Sequence, residues 1–300
     1  MDYREYYRAD AKRRRRRRGF QRFCFFALLL LLLLGLAAVI TWVIEAVGGK
    51  DDPSASLPGQ SVSSSAVSSQ PEESSSGAVQ QGAALPEKGR VELSYFTDAA
   101  FVGDSITVGW NDYKGAAALP DTNVIAAIGV TPPVNGIQWV GSDGAMYDPL
   151  QAVADAAPAK LYLMFGANKL VDQGDAAEDT LLSSYASFID DLRAKLPQAK
   201  IYIQSVLTPT ATGTDAHPGL SPERIARVNG RLQALAAEKG CYYLDLEEAL
   251  CPEGVLSDAY ASGDGLHLSK EGYMAWLEYL ITHAAYDPSN PYVGGIDPGP

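Results

Sequence analysis

The chain has 300 residues, 47% of them hydrophobic and 20% charged, which is an ordinary balance for a protein that folds around a core. Its net charge of -12 is unevenly spread: residues 1–50 carry eleven Lys/Arg against four Asp/Glu, and residues 51–300 carry thirteen against thirty-two. The acidic part argues against a nucleic-acid partner, because phosphates would be repelled. The basic part is short and lies beside an apolar block, which is the pattern of a membrane border.

In chain order, the basic N-terminus (residues 1–22) holds the run Lys12–Arg18, KRRRRRR. Phe23–Ile44, FCFFALLLLLLLGLAAVITWVI, follows without a charge. As a helix it would span about 33 Å, enough for a bilayer core. Arginines on its N-terminal side predict a single-pass transmembrane anchor with a cytoplasmic N-terminus and everything later outside the cell membrane. A cleaved signal peptide is the rival, but its apolar region is normally shorter, about 7–15 residues. Residues 51–90, rich in Ser, Pro, Gln and Gly, have too few large apolar groups to order themselves and predict a disordered linker. Residues 91–286 read as one domain, and residues 287–300 as an irregular Pro/Gly-rich tail.

Within the domain, five short apolar runs bounded by Gly, Pro, Asp or Asn predict strands: Ala99–Val102, Asn123–Ile128, Lys160–Phe165, Lys200–Val206 and Cys241–Leu244. Apolar stripes predict helices over Thr180–Leu196 and Glu223–Lys239, the second started by Ser221-Pro222 and ended by Gly240. A last helix is expected over Lys270–Ala284. Apolar strands alternating with helices imply an α/β class with a parallel sheet covered on both faces, and such sheets place ligand sites at the C-terminal ends of their strands.

Three polar clusters fall at those ends. In FVGDSITVGW, Ser105 follows Gly103-Asp104 at the start of an expected helix, where it is either a nucleophile beside backbone N–H donors or merely a cap. In LYLMFGAN, a strand delivers Asn168, either an oxyanion donor or an Asx-turn residue. In SGDGLHLSKEGY, Asp264 and His267 are spaced so that the carboxylate can fix the imidazole tautomer, although His267 could instead cap the last helix. His217 and His283 lie in a loop and near a helix end, which leaves His267 as the best base. Asp104, Asp112, Asp172 and Asp175 fit no standard ion loop, so no metal is expected. Cys241 and Cys251 are read as buried thiols, with a disulfide as the alternative outside the cytoplasm.

Together and in this order, Gly103-Asp104-Ser105, Gly129 in VIAAIGV, Gly166-Ala167-Asn168 and Asp264-Gly265-Leu266-His267 resemble the motif blocks of the GDSL or SGNH hydrolase family. The resemblance covers about residues 95–284. It implies a three-layer α/β/α, flavodoxin-like domain with ester hydrolysis or acyl transfer and no cofactor. It also implies a Ser105–His267–Asp264 triad, with Ser105, Gly129 and Asn168 forming the oxyanion hole and Gly136 as the fallback for Gly129. Many relatives have Asp after the third-block Asn, where this chain has Lys169. The expected activity is that of an extracytoplasmic serine esterase acting on O-acyl, foremost O-acetyl, esters of cell-envelope carbohydrate or lipid. An O-acyltransferase using the same site and a non-catalytic glycan-binding module on the same fold are the alternatives.

Overall fold

A computed structural model describes residues 83–293, except 120, 135 and 142. The expected basic stretch, the apolar span and most of the linker lie outside the described residues, as do residues 294–300 of the tail. Among the described residues, no helix is long and apolar enough to cross a membrane.

The strands in chain order are β1 (Ala99–Gly103), β2 (Asn123–Ala126), β3 (Trp139–Val140), β4 (Met146–Tyr147), β5 (Lys160–Met164), β6 (Lys200–Gln204) and β7 (Tyr242–Leu244). β3 and β4 pair as a small antiparallel hairpin. The other five form one parallel sheet in the order β2-β1-β5-β6-β7. This is the flavodoxin-like order, and the chain reverses direction across the sheet between β1 and β5. Early helices include α1 (Ser105–Val108), α2 (Trp110–Tyr113), α3 (Pro149–Ala156), α4 (Ala167–Leu170) and α5 (Asp175–Lys195). Later ones are α6 (Ala211–Ala216), α7 (Pro222–Glu238), α8 (Glu247–Leu250) and α9 (Lys270–Thr282).

The sheet strands are apolar in their interiors, with Asn123, Lys160, Lys200 and Gln204 confined to strand ends, because both sheet faces are covered, and alternate residues feed two cores. Ala100, Val102, Leu161, Leu163, Ile201 and Ile203 pack with α3, α5 and α7. Phe101, Tyr162, Met164, Tyr202 and Leu244 pack with α2, α8 and α9. Sheet register aligns Tyr162, Tyr202 and Tyr242, and their rings stack at 4.6 and 5.0 Å. Phe101, Trp110 and Trp276 fill the neighbouring space with centroids 5.1–6.1 Å apart. A fully buried aromatic of this kind contributes roughly 1.5–3 kcal/mol by removal from water.

Three predicted strands end earlier than expected, for a physical reason. Beyond Met164 and Gln204 the chain stays buried but leaves the ladder. Phe165 N–H donates to Tyr185 Oη at 2.8 Å, and Val206 N–H to Asn229 Oδ1 at 2.9 Å, so side chains replace the neighbouring strand. After β2 the chain turns outward, and Ile128 is half exposed. The last residues of the expected linker lie against the domain: Leu85 is buried and its N–H donates to Tyr243 O at 2.9 Å. In the tail, Lys200 pairs with Asp287 at 3.0 Å and Tyr292 Oη–H donates to Ala284 O at 2.8 Å. Cys241 and Cys251 are buried free thiols.

α5 and α7 are joined by a buried ion pair. Arg224 Nε–H donates to Glu178 Oε1 at 2.9 Å, while its Nη1 and Nη2 reach the carbonyls of Leu170, Asp172, Gly219 and Gly174 at 2.9–3.2 Å. Arg227 adds a second bond to Glu178 at 2.6 Å. The hydrogen bond from Arg227 holds the Glu178 carboxyl down from 4.5 to about 2, with Arg224 assisting against the opposing effect of burial. Removing one partner of a buried pair strands the other, at a cost of about 3 kcal/mol. Glu178→Ala should therefore lower the unfolding free energy by that order, read as a lower denaturation midpoint with an unchanged m-value. In the parent chain, the folded carboxyl is the more acidic one, so its contribution is complete above pH 4.5 and is lost as pH falls toward about 2. A variant as stable as the parent at pH 7 would contradict this account.

Candidate active site

β1 and β5 are neighbours, and their C-terminal ends deliver the first two clusters to one edge of the sheet. The turn after β1 is very tight. A Cβ at Gly103 would overlap Thr107 Oγ1 and the Met164 carbonyl, so only glycine allows the strand to pass into α1 here. Asp104 caps α1, its Oδ1 accepting Ile106 N–H at 3.1 Å, and Ser105 becomes the first residue of the helix. Burial pushes the Asp104 carboxyl up to about 6, against the opposing influence of the Ile106 N–H and of His267.

The second cluster turns at Gly166, with φ of +154°, where a Cβ would overlap Val206. Asn168 then sits in α4, and its Nδ2 donates to Val130 O at 3.0 Å. An amide NH2 has two donors, and this bond uses one of them. It also ties Asn168 to the loop of Gly129, whose φ is +76°. Gly136, the fallback for that position, also has a positive φ of +83°, and a Cβ there would meet open space.

The third cluster is a closed turn ahead of α9. Ser262 N–H donates to His267 O at 2.6 Å, and Gly265 N–H to Ser262 O at 3.0 Å. Thr210 N–H bonds Gly265 O at 2.8 Å, fastening the turn to the loop after β6. α9 is fastened to α1 by Tyr273 Oη–H donating to Ile106 O at 2.5 Å. This cross-link connects the helix that follows His267 to the helix that begins at Ser105.

The outcome is a continuous relay. Ser105 Oγ lies 2.9 Å from His267 Nε2, and His267 Nδ1 lies 2.9 Å from Asp264 Oδ2. With the Nδ1 proton donated to Asp264, Nε2 is left to accept from the serine. Asp264 Oδ1 takes bonds from Ser262 Oγ, His267 N and Leu266 N at 2.7–3.1 Å. Burial alone would raise the Asp264 carboxyl, but the His267 hydrogen bond and charge, together with the other donors, hold it well below the usual range. A carboxylate that stays anionic can stabilise an imidazolium beside it. The structure thus brings together Ser105, His267 and Asp264 from sites up to 162 residues apart, with Asn168 and Gly129 joined through Val130. His217 ends α6, and His283 ends α9, stacked on Tyr279 at 3.8 Å. Among the described residues, no three His, Cys, Asp or Glu side chains cluster as metal ligands.

Ser262 and Val130 join the site without having been singled out in the sequence. The serine two residues before Asp264 in a Gly-containing turn was a usable signal, since hydroxyls in such turns commonly bond nearby acceptors. The Val130 carbonyl carries no side-chain signature at all.

No curated protein matches the chain. Similar solved structures include a Bacteroides fragilis protein assigned as an acylhydrolase, 22% identical over 67% of this chain and 90% of that one, TM-score 0.48. A GDSL-like lipase from Bacteroides thetaiotaomicron is 21% identical over 61% of this chain and 84% of that one, TM-score 0.46. The periplasmic domain of a Salmonella ser. Paratyphi A lipopolysaccharide acetyltransferase is 12% identical over 61% and 82%, TM-score 0.45. The GDSL-like Lipase/Acylhydrolase family matches residues 101–275, a span that contains Ser105, Gly129, Asn168, Asp264 and His267. That span is more than half of the chain, and the chain belongs to the GDSL-like lipase/acylhydrolase family of ester-hydrolysing serine enzymes.

Proposed function

We propose that the chain is a membrane-anchored extracytoplasmic esterase that removes short acyl groups, foremost acetyl, from cell-envelope carbohydrate or lipid. The observation that carries the catalytic part is the pair of 2.9 Å contacts linking Ser105, His267 and Asp264. Ser105 Oγ attacks the ester carbonyl while His267 Nε2 takes its proton. The tetrahedral oxyanion is held by Ser105 N–H, Gly129 N–H and the second N–H of Asn168. Collapse breaks the bond to the alcohol, which leaves with the proton from His267. Water then attacks the acyl-serine, with His267 again as base, and frees the acid. Asp264 remains an anion throughout and orients the ring.

The location rests on the Lys12–Arg18 run ahead of Phe23–Ile44, and on a linker that would hold the domain off the membrane. Envelope glycans and lipids are the esters within reach of such a tether. The glycan-binding alternative has no need of a serine, an imidazole and a carboxylate in hydrogen-bonded series.

Release of acetate from an O-acetylated glycan and from a generic acetyl ester tests this reading. Ser105→Ala should abolish both activities, and His267→Ala nearly so. Asp264→Asn should cost on the order of 10⁴-fold by favouring the wrong tautomer. Asn168→Ala should cost roughly 10²–10³-fold. Full activity in Ser105→Ala would end the assignment; full activity in Asn168→Ala alone would remove only that donor. Transfer of the acyl group to an added alcohol in preference to water would replace esterase by acyltransferase.

A further inference from the structure

Asp264 must keep one rotamer for His267 to face Ser105. Its Oδ2 bonds the ring at 2.9 Å. Its Oδ1 receives His267 N–H at 3.0 Å and Leu266 N–H at 3.1 Å. Those two amide bonds come with the turn, whatever side chain stands at 262. They pin one oxygen, but the carboxylate plane can still rock about it, and rocking carries Oδ2 away from Nδ1. A third donor to the same oxygen, Ser262 Oγ–H at 2.7 Å, opposes that motion by direction, because donors to a carboxylate oxygen prefer its plane and rocking about Oδ1 would bend this bond.

Ser262 is itself tied into the turn by its backbone. Its N–H bonds His267 O at 2.6 Å and its carbonyl accepts Gly265 N–H at 3.0 Å. The neighbouring pair Ala261 and Leu268 bridges in antiparallel fashion just outside the turn. The hydroxyl is therefore delivered from a backbone that is already closed, and its removal deletes one side-chain donor without opening the turn.

We propose that Ser262 is a positioning residue for the esterase reaction, its hydroxyl locking the Asp264 carboxylate in the plane that presents Oδ2 to His267. This rests on the triad reading above. Ser262 touches neither substrate nor nucleophile in this account; it acts through Asp264. Hydrogen bonds to a charged acceptor are among the stronger ones, so loss of this donor is expected to cost about tenfold in rate.

The test uses the full chain and p-nitrophenyl acetate. Ser262→Ala should lower kcat about tenfold while KM changes less than twofold and the thermal midpoint stays within a few degrees of the parent. Ser262→Thr keeps the hydroxyl and should recover kcat to within about threefold of the parent, and Ser262→Cys, a weaker donor, should fall between Thr and Ala. Parental kcat in Ser262→Ala overturns the inference, as does an equal loss in the Thr and Ala variants. A rise in KM with unchanged kcat also overturns it, because it would place Ser262 at the substrate. Ser105→Ala separates the two levels: if it is inactive while Ser262→Ala is normal, only this inference fails, and if it is active the triad reading fails first.

Discussion

An imidazole serves as a general base only when one nitrogen is committed to carrying a proton and the other faces the group to be deprotonated. That constraint organises this molecule. His267 is committed by Asp264 on one side and faces Ser105 on the other, at 2.9 Å in both directions. The geometry tolerates little error, because a hydrogen bond weakens steeply once it lengthens or bends. The fold supplies that tolerance from three places. Gly103 lets β1 turn directly into α1, Thr210 holds the turn before α9, and Tyr273 bonds α9 back to α1.

Two carboxyl groups near the imidazole have opposite environments. Asp264 accepts from His267, Ser262 and two backbone amides, and is held as an anion. Asp104 is almost wholly buried and its carboxyl is pushed up to about 6, with the Ile106 amide and His267 working against that rise. Desolvation disfavours charge and donors favour it: Asp104 is the more deeply buried of the two, whereas Asp264 has the direct hydrogen bond to His267. The separation fits a division of labour in which Asp264 supports charge on the ring while Asp104 shapes the turn that presents Ser105.

Much of this was legible in the sequence because strong local signals marked it. The runs at Ala99, Lys160 and Lys200 read as strands because they were short, mostly apolar and bounded by breakers. Gly103, Ser105, Asn168, Asp264 and His267 stood at the ends or turns that a parallel sheet reserves for its site. The misses also have physical causes. The strand expected to run to Val206 stops at Gln204 because Asn229, distant in sequence, takes over as acceptor. α3 carried a proline at its first position and an aspartate cap at Asp148, but its eight residues make only about two turns, too few for a stripe to stand out. α5 begins at Asp175, ahead of the Thr180 start that the apolar stripe suggested, and Glu178 in that first part is buried by Arg224. β3 and β4 are two residues each, too short for any periodicity. The bond from Asn168 to Val130 involves a backbone carbonyl, which no residue type announces.

The central claim is that Ser105 carries the acyl group between attack and release. Mixing the enzyme with an acetyl ester, quenching in acid within the first turnover and mapping the mass increase by peptide will test it directly. A single added acetyl is expected on the peptide containing Ser105, absent from Ser105→Ala and accumulating to near one per chain when deacylation is slow. An acetyl group on another residue, or turnover with no acyl-enzyme under any quench time, would contradict it.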